Sequence, residues 1–234
     1  MYKRILLKVS GEVLGGNDGG ANLNFENVKA LASVLGDAAH KGVQIGIVVG
    51  AGNIFRGREI AHGEIDRVTA DHMGMMATII NALALHSVLE KSGIEARVLS
   101  SIPMPEVMEN YVHKRAINHL KNGRLVIFAG GTGRPYFTTD TAAVLRALEI
   151  NAEVVFKASD VDGVYDADPD ITPGAKRYDR LTYAEALEKR LSIMDSAAFS
   201  LAQENDLPIV VFKFSPENVS RAISGERLGT VITS

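Results

Sequence analysis

The sequence predicts an α/β protein built on a mainly parallel sheet with helices on both faces. Three features point there. Short apolar runs alternate with segments of helical period almost throughout the 234 residues. The runs are mostly apolar at successive positions rather than alternating, as strands covered on both faces are. Several end in glycine-rich turns, where open α/β sheets hold ligands. With 46% hydrophobic and 23% charged residues, the chain can bury a large core, as one large domain or two intimate lobes. No internal repeat or flexible linker divides it.

Ile5 to Val9 reads as the first strand, and the glycine-rich segment Gly15 to Asn22 as a loop. A helix is expected from Phe25, with Val28, Leu31, Leu35 and Ala38 on one face and Gly42 as its stop. Val43 to Val49 is the second strand. Glu59 to Glu64 shows no period and reads as a flexible segment, followed by a long helix from Asp66 to about Lys91. Both sides of that helix are apolar in its middle third, which fits burial between layers or a subunit interface. Ala96 to Leu99 is a third strand, and Ile102-Pro103-Met104-Pro105 forces an extended connection. Tyr111 to Lys121 is helical, and Leu125 to Phe128 is the fourth strand. The next helix runs from Thr141 to Glu149, with Thr139 or Asp140 as its N-cap. Glu153 to Lys157 is a fifth strand, and Asp166 to Arg180 a long polar connection of the functional kind. Thr182 and Glu185 form a capping-box pattern, Asp195 caps another helix, and Ser215-Pro216 opens one after the strand Pro208 to Phe214. Gly229 to Thr233 is expected to be a final edge strand.

A net charge of −3 argues against a nucleic-acid partner, which usually meets a basic face. The absence of cysteine excludes disulfides, thiolate metal sites and thiol nucleophiles, and suits a reducing compartment. Lys8 interrupts what would be a signal peptide's apolar core, and no uninterrupted apolar run approaches the ~18 residues of a membrane span. A soluble cytoplasmic protein is expected.

Four strand ends carry the chemistry: Lys8-Val9-Ser10-Gly11, Gly50-Ala51-Gly52-Asn53, Gly130 to Asp140, and Lys157-Ala158-Ser159-Asp160. Glycines and hydroxyls suit backbone and side-chain donation to phosphate oxygens. Lysines at two converging strand ends add the cations that phosphoryl transfer needs. Other phosphate folds fail. The chain has no Walker A sequence, and Phe55 and Tyr136 stand where the third glycine of a dinucleotide fingerprint belongs. Protein-kinase signatures and zincin histidine spacing are also absent. The residues alone thus indicate a phosphate-binding or phosphoryl-transfer protein of open substrate.

Lys8-Val9-Ser10-Gly11-Glu12, Gly52-Asn53-Ile54-Phe55-Arg56-Gly57, Asp71-His72-Met73-Gly74-Met75, Thr132 to Asp140, Lys157 to Tyr165 and Thr230-Val231-Ile232 resemble motifs of the amino-acid kinase superfamily, in detail its bacterial uridylate (UMP) kinases. The resemblance covers essentially the whole chain. It implies a single three-layer αβα sandwich on a mainly parallel, roughly eight-stranded sheet, with an acceptor part at about 1–150 and an ATP part at about 151–234. It implies a homohexamer that converts ATP and UMP to ADP and UDP with Mg2+, GTP activating and UTP inhibiting.

The resemblance also assigns residues. Lys8, Asp140, Lys157 and Arg56 would be catalytic, with Asp140 organising the lysines. Lys8, Val9, Ser10, Gly11, Gly52, Arg56, Ser159, Tyr165 and Asp168 would bind ATP. Ala51, Asp71, Thr132, Gly133, Arg134, Pro135, Tyr136, Phe137, Thr138 and Thr139 would bind UMP, Asp71 through the ribose hydroxyls. Gly16, Asn17, Asp18, Gly19, Gly20 and Ala21 align with a region tied to GTP control. No protein metal ligand is expected, since ATP phosphates would hold the magnesium. Ala51 and Arg134 depart from the usual glycine and asparagine. A sibling carboxylate or carbamate kinase, and a non-catalytic nucleotide-binding protein on the same fold, are the alternatives.

Overall fold

The computed structural model describes residues 2–15, 23–55, 65–169, 171–189, 191 and 193–234. Arg56, the segment Glu59 to Glu64 and the stretch Gly16 to Ala21 lie outside them. The strands are β1 (Arg4–Val9), β2 (Gln44–Val49), β3 (Ala96–Ser100), β4 (Glu109–Asn110), β5 (Leu125–Ala129), β6 (Val155–Ser159), β7 (Val164–Tyr165), β8 (Arg177–Tyr178), β9 (Arg180–Thr182), β10 (Ile209–Lys213) and β11 (Thr230–Thr233). The helices are α1 (Gly11–Leu14), α2 (Phe25–His40), α3 (Arg67–Lys91), α4 (His113–Lys121), α5 (Thr139–Glu149), α6 (Tyr183–Glu188), α7 (Ser196–Glu204) and α8 (Pro216–Ser224).

A nine-stranded sheet runs β4-β3-β5-β2-β1-β6-β10-β11-β9, and β7 pairs with β8 in a separate ribbon. All pairings in the large sheet are parallel except β10 with β11. Strand alternation builds two cores. Ile5, Leu7 and Val9 of β1 face one core with Ile45, Ile47, Phe156 and the apolar sides of α2, α3 and α8. Leu6 faces the other, with Val126, Phe128, Val155 and residues of α4, α5, α6 and α7. This is the expected three-layer sandwich.

Several boundaries move for physical reasons. The cap of α5 is Thr138, not Thr139 or Asp140; its Oγ1 accepts from the N–H of Asp140 at 3.1 Å. That shift places Asp140 in the first turn. β11 is not an edge: β9, at the end of the long polar connection, pairs alongside it. The same connection contributes the short strand β8 near its end and is otherwise loop among the described residues. The helix expected from Tyr111 begins at His113, after the short strand β4 that follows the proline-rich connection. Thr182, Asp195 and Ser215 cap as expected, Thr182 within a full capping box, and Asp66 proves to be the cap of the long helix α3.

Helix α3 is long and apolar enough, by length and composition alone, to cross a membrane. Here it packs on α2, β3 and β5, burying Met75, Ile79, Ala82, Leu85 and Leu89. Met73, Met76 and Ile80 on its other side are exposed.

Gly229 shows how tightly the antiparallel pair is seated. Its φ is +56°, and a Cβ there would lie 1.9 Å from the Val211 carbonyl oxygen. Gly42 has φ +84° but nothing within 4 Å of a Cβ. Gly42→Ala should therefore cost about 1 kcal/mol, the conformational cost alone, and Gly229→Ala about 3 kcal/mol or more. Urea midpoints measure both; equal losses would refute the close approach at Gly229.

Candidate active site

The four strand ends singled out in the sequence belong to β5, β2, β1 and β6, which are consecutive neighbours in the sheet. Their carboxyl ends therefore open on one edge. The chain leaves β1 towards β2 and returns on its other side as β6, so this edge is a topological switch point.

Lys8 and Lys157 are register partners on β1 and β6. Cross-strand like charges repel, and here both side chains are buried, 7% and 9% exposed. Asp140 resolves the conflict. Its Oδ2 accepts from Lys157 Nζ at 2.8 Å, and its Oδ1 lies 3.0 Å from Lys8 Nζ. The Lys8 contact is an ion pair without hydrogen-bond alignment, so attraction there is chiefly electrostatic. Lys157 also donates to the Ile193 carbonyl.

Burial alone would raise the Asp140 pKa, but the two ammonium groups outweigh it and hold the carboxyl below its usual range. Lys157 moves the other way for a lysine: burial lowers its pKa, against the pull of Asp140. The two directions agree, because one carboxylate in contact with two ammonium groups cannot compensate both. Asp195 attracts Lys157 only weakly. The cluster is left short of negative charge, as a phosphate receiver should be.

Backbone closes around it. A Cβ on Gly11 would lie 2.4 Å from Gly52 N, so the turns after β1 and β2 touch backbone to backbone. A Cβ on Gly52 would meet the Glu12 carboxylate at 2.0 Å. Among the described residues, the Ser10 hydroxyl is buried without a hydrogen-bond partner. A polar atom left so is costly unless a ligand or water satisfies it. Val9 is fully buried and supplies backbone alone.

Helix α3 pins the turns from behind. Asn81, fully buried, donates to the Gly50 carbonyl at 2.7 Å and exchanges amide bonds with Asn53 at 2.8 and 3.1 Å. Thr78 accepts from the Gly130 N–H at 3.0 Å. These two residues escaped the sequence reading. Their signal was a polar pair three apart in the otherwise apolar middle of the helix.

A cavity of about 380 Å³ opens beside the cluster. Ala51, Gly52, Asp71, Thr132, Phe137, Thr138 and Thr139 line it, as does Arg67, which sequence reasoning missed. Gly133, Arg134, Pro135 and Tyr136 are on the same loop but not in its wall, and Arg134 is exposed. Asp71 accepts from the Tyr136 N–H at 2.7 Å and from Arg67 Nε at 2.8 and 2.9 Å. Thr138 and Thr141 hydroxyls both donate to Asp195, which thereby joins the starts of α5 and α7; the sequence marked Asp195 only as a cap.

A second cavity of about 620 Å³ lies on the far side of Lys157. Ser159, Tyr165 and Asp168 line it. Tyr165 donates to Asp162 at 2.6 Å, and Arg177 holds the same carboxylate at 2.9 Å, fixing the β7–β8 ribbon as one wall. Among the described residues no three His, Cys, Asp or Glu side chains converge as metal ligands. The lysines, the Ser10 hydroxyl and the glycine turns are suited to receive phosphate oxygens.

A model of the amino acid kinase family matches residues 3–213. The uridylate kinase of Legionella pneumophila (strain Lens) is 50% identical over 232 residues, 99% of this chain and 94% of that protein. A solved UMP kinase from Bacillus anthracis superposes with a TM-score of 0.94 at 41% identity, covering 99% of this chain and 96% of that one. One from Ureaplasma parvum gives 0.93 at 35% identity over both whole chains. With the fold, the paired lysines and these relatives in agreement along nearly its whole length, the chain belongs to the amino acid kinase family.

Proposed function

We propose that this chain transfers the γ-phosphoryl group of ATP to UMP, giving ADP and UDP for pyrimidine nucleotide supply. The observation that carries the reading is the buried Lys8–Asp140–Lys157 cluster between two cavities, in a chain half identical to a uridylate kinase. A phosphate oxygen of UMP attacks the γ-phosphorus, and the bond to the β–γ bridging oxygen of ATP breaks. UMP is already an anion at neutral pH, so no general base is required.

The first cavity takes UMP and the second the adenosine end of ATP, with the phosphates meeting at Lys8. Cavities of this size suit such ligands. This division supports an acceptor part at about 1–150 and an ATP part at about 151–234, since the two walls draw mainly on those ranges. Lys8 and the Ser10–Gly11 turn hold the transferring group, Lys157 adds charge, and Asp140 keeps both ammonium groups aimed. Asp71 receives the ribose hydroxyls; Ser159, Tyr165 and Asp168 line the adenosine pocket. Arg56, Gly133, Arg134, Pro135 and Tyr136 complete the acceptor side in this reading. Magnesium carried by the ATP phosphates would supply further neutralisation of charge on the transferring group. We place self-association, as a hexamer, on the exposed apolar stripe Met73, Met76 and Ile80 of α3.

ADP release from Mg-ATP should be strong with UMP and weak with CMP or acetylglutamate. Adding GTP at subsaturating ATP should raise the rate and UTP lower it. Tight ATP binding with no turnover on any acceptor would favour a nucleotide-binding protein, and turnover on a carboxylate a sibling kinase. A flat GTP response would remove regulation from the proposal.

Lys8→Ala should reduce kcat by about 100-fold or more, the ~3 kcal/mol of one preorganised donor. Wild-type turnover in that variant would take Lys8 out of the mechanism.

Asp140→Asn leaves two buried ammonium groups without their carboxylate and should cost about 3 kcal/mol of stability at neutral pH. The sign with pH follows from the lowered native pKa. The carboxylate stabilises the fold above its unfolded value, about pH 4, and that contribution is lost as pH falls through the native value. The stability gap between wild type and Asp140→Asn should therefore narrow on acidification. A gap constant with pH would refute the ion-pair account.

A further inference from the structure

Arg67 is the first residue of α3, where the helix dipole disfavours a cation. Its partner Asp71 lies four residues on, the charge order that helps a helix less. Helix stability therefore does not account for the pair. What the two share is the wall of the first cavity. Arg67 Nε lies 2.8 and 2.9 Å from the two Asp71 oxygens, and the Tyr136 N–H reaches Oδ2 at 2.7 Å from across the cavity loop. Tyr136 presents that N–H at φ +71°, a costly conformation for a tyrosine. The Arg67 guanidinium also sits 5.6 Å from the Tyr136 ring centre. Two elements are thus clamped onto one carboxylate.

A carboxylate turns easily about its last torsion. Held from two sides, Asp71 keeps one plane, and Oδ1 retains capacity to accept a further hydrogen bond. We propose that Arg67 is a positioning residue that fixes Asp71 for the ribose diol and so sets the preference for ribonucleotide over 2′-deoxyribonucleotide acceptors. This rests on the reading of Asp71 as the ribose partner. Discrimination of this kind is large only where the acceptor atom is already in place, because an analogue without the hydroxyl then leaves it unpaired.

The test is kcat/KM with UMP and with dUMP in wild type, Arg67→Met, Arg67→Lys and Asp71→Asn. The ratio of the two is taken within each preparation, so it does not depend on the folded fraction. Wild type should favour UMP by about 100-fold or more. Arg67→Met should lose about tenfold on UMP with little change on dUMP, and Arg67→Lys should recover part of the ratio. A collapsed ratio in Asp71→Asn beside an unchanged one in Arg67→Met would overturn the role of Arg67 while leaving Asp71 as the ribose partner. An unchanged ratio in Asp71→Asn would overturn the reading of Asp71 and the proposal with it. Equal losses on both nucleotides in Arg67→Met would mark a merely structural residue and also overturn it.

Discussion

Two lysines side by side on adjacent parallel strands, both buried, are tolerable only because Asp140 reaches between them. An uncompensated buried charge would cost several kcal/mol, on the scale of a domain's entire stability. The carboxylate has to arrive from outside the sheet, since neighbouring strand positions on that face carry no acid. It arrives on the first turn of α5, where the helix dipole favours an acid and where Thr138 fixes the start of the helix. The position of the cap, the length of the glycine-rich turn and the crossing of α5 over β1 all serve one side chain. Because one acid faces two bases, the arrangement is satisfied enough to fold and still electropositive enough to receive phosphate.

The glycine turns around this cluster are held rather than merely permitted. Backbone N–H groups stabilise a transferring phosphoryl group only if they are already aimed before the reaction. Here α3 supplies the aim, Asn81 holding the turn after β2 and Thr78 the turn after β5. Both act from within an apolar interface, where a hydrogen bond left unmade is expensive. The same helix puts Arg67 and Asp71 at its start, in the cavity wall. One rigid element therefore connects phosphate turns and acceptor pocket, and it does so across the carboxyl edge of the sheet.

Much of this was legible beforehand. Apolar runs located β1, β2, β3, β5, β6 and β10, and punctuation by glycine and capping residues located most helices. Strands without such a run escaped: β4, β8 and β9 are two or three residues long and largely polar, too short to show a period. The misplaced edge strand has the same origin, because only the fold brings β9 beside β11. In the site, residues with strong local signatures were found, lysines at strand ends and an acid at a helix start among them. Of the loop expected in the acceptor pocket, Thr132, Phe137, Thr138 and Thr139 line the first cavity, while Gly133 to Tyr136 lie on the same loop outside its wall. Thr78, Asn81 and Arg67 were missed because their importance lies in what they touch across the fold.

The placement of charge also explains why the two faces of the sheet differ. On the side of α2, α3 and α8, β1 presents Ile5, Leu7 and Val9 and no polar group. On the other side the same strand presents Leu6 and then Lys8. Strand alternation forces that choice: a lysine at the strand's penultimate position must join the layer that contains α5. An acid able to meet both lysines must then come from α5 rather than from α3, whatever helix happens to be longer. The first cavity falls between α3 and the start of α5, and the second is lined by the end of β6. On the reading proposed above, the order of the layers thus sets the order in which acceptor, transferring group and donor line up along the sheet edge.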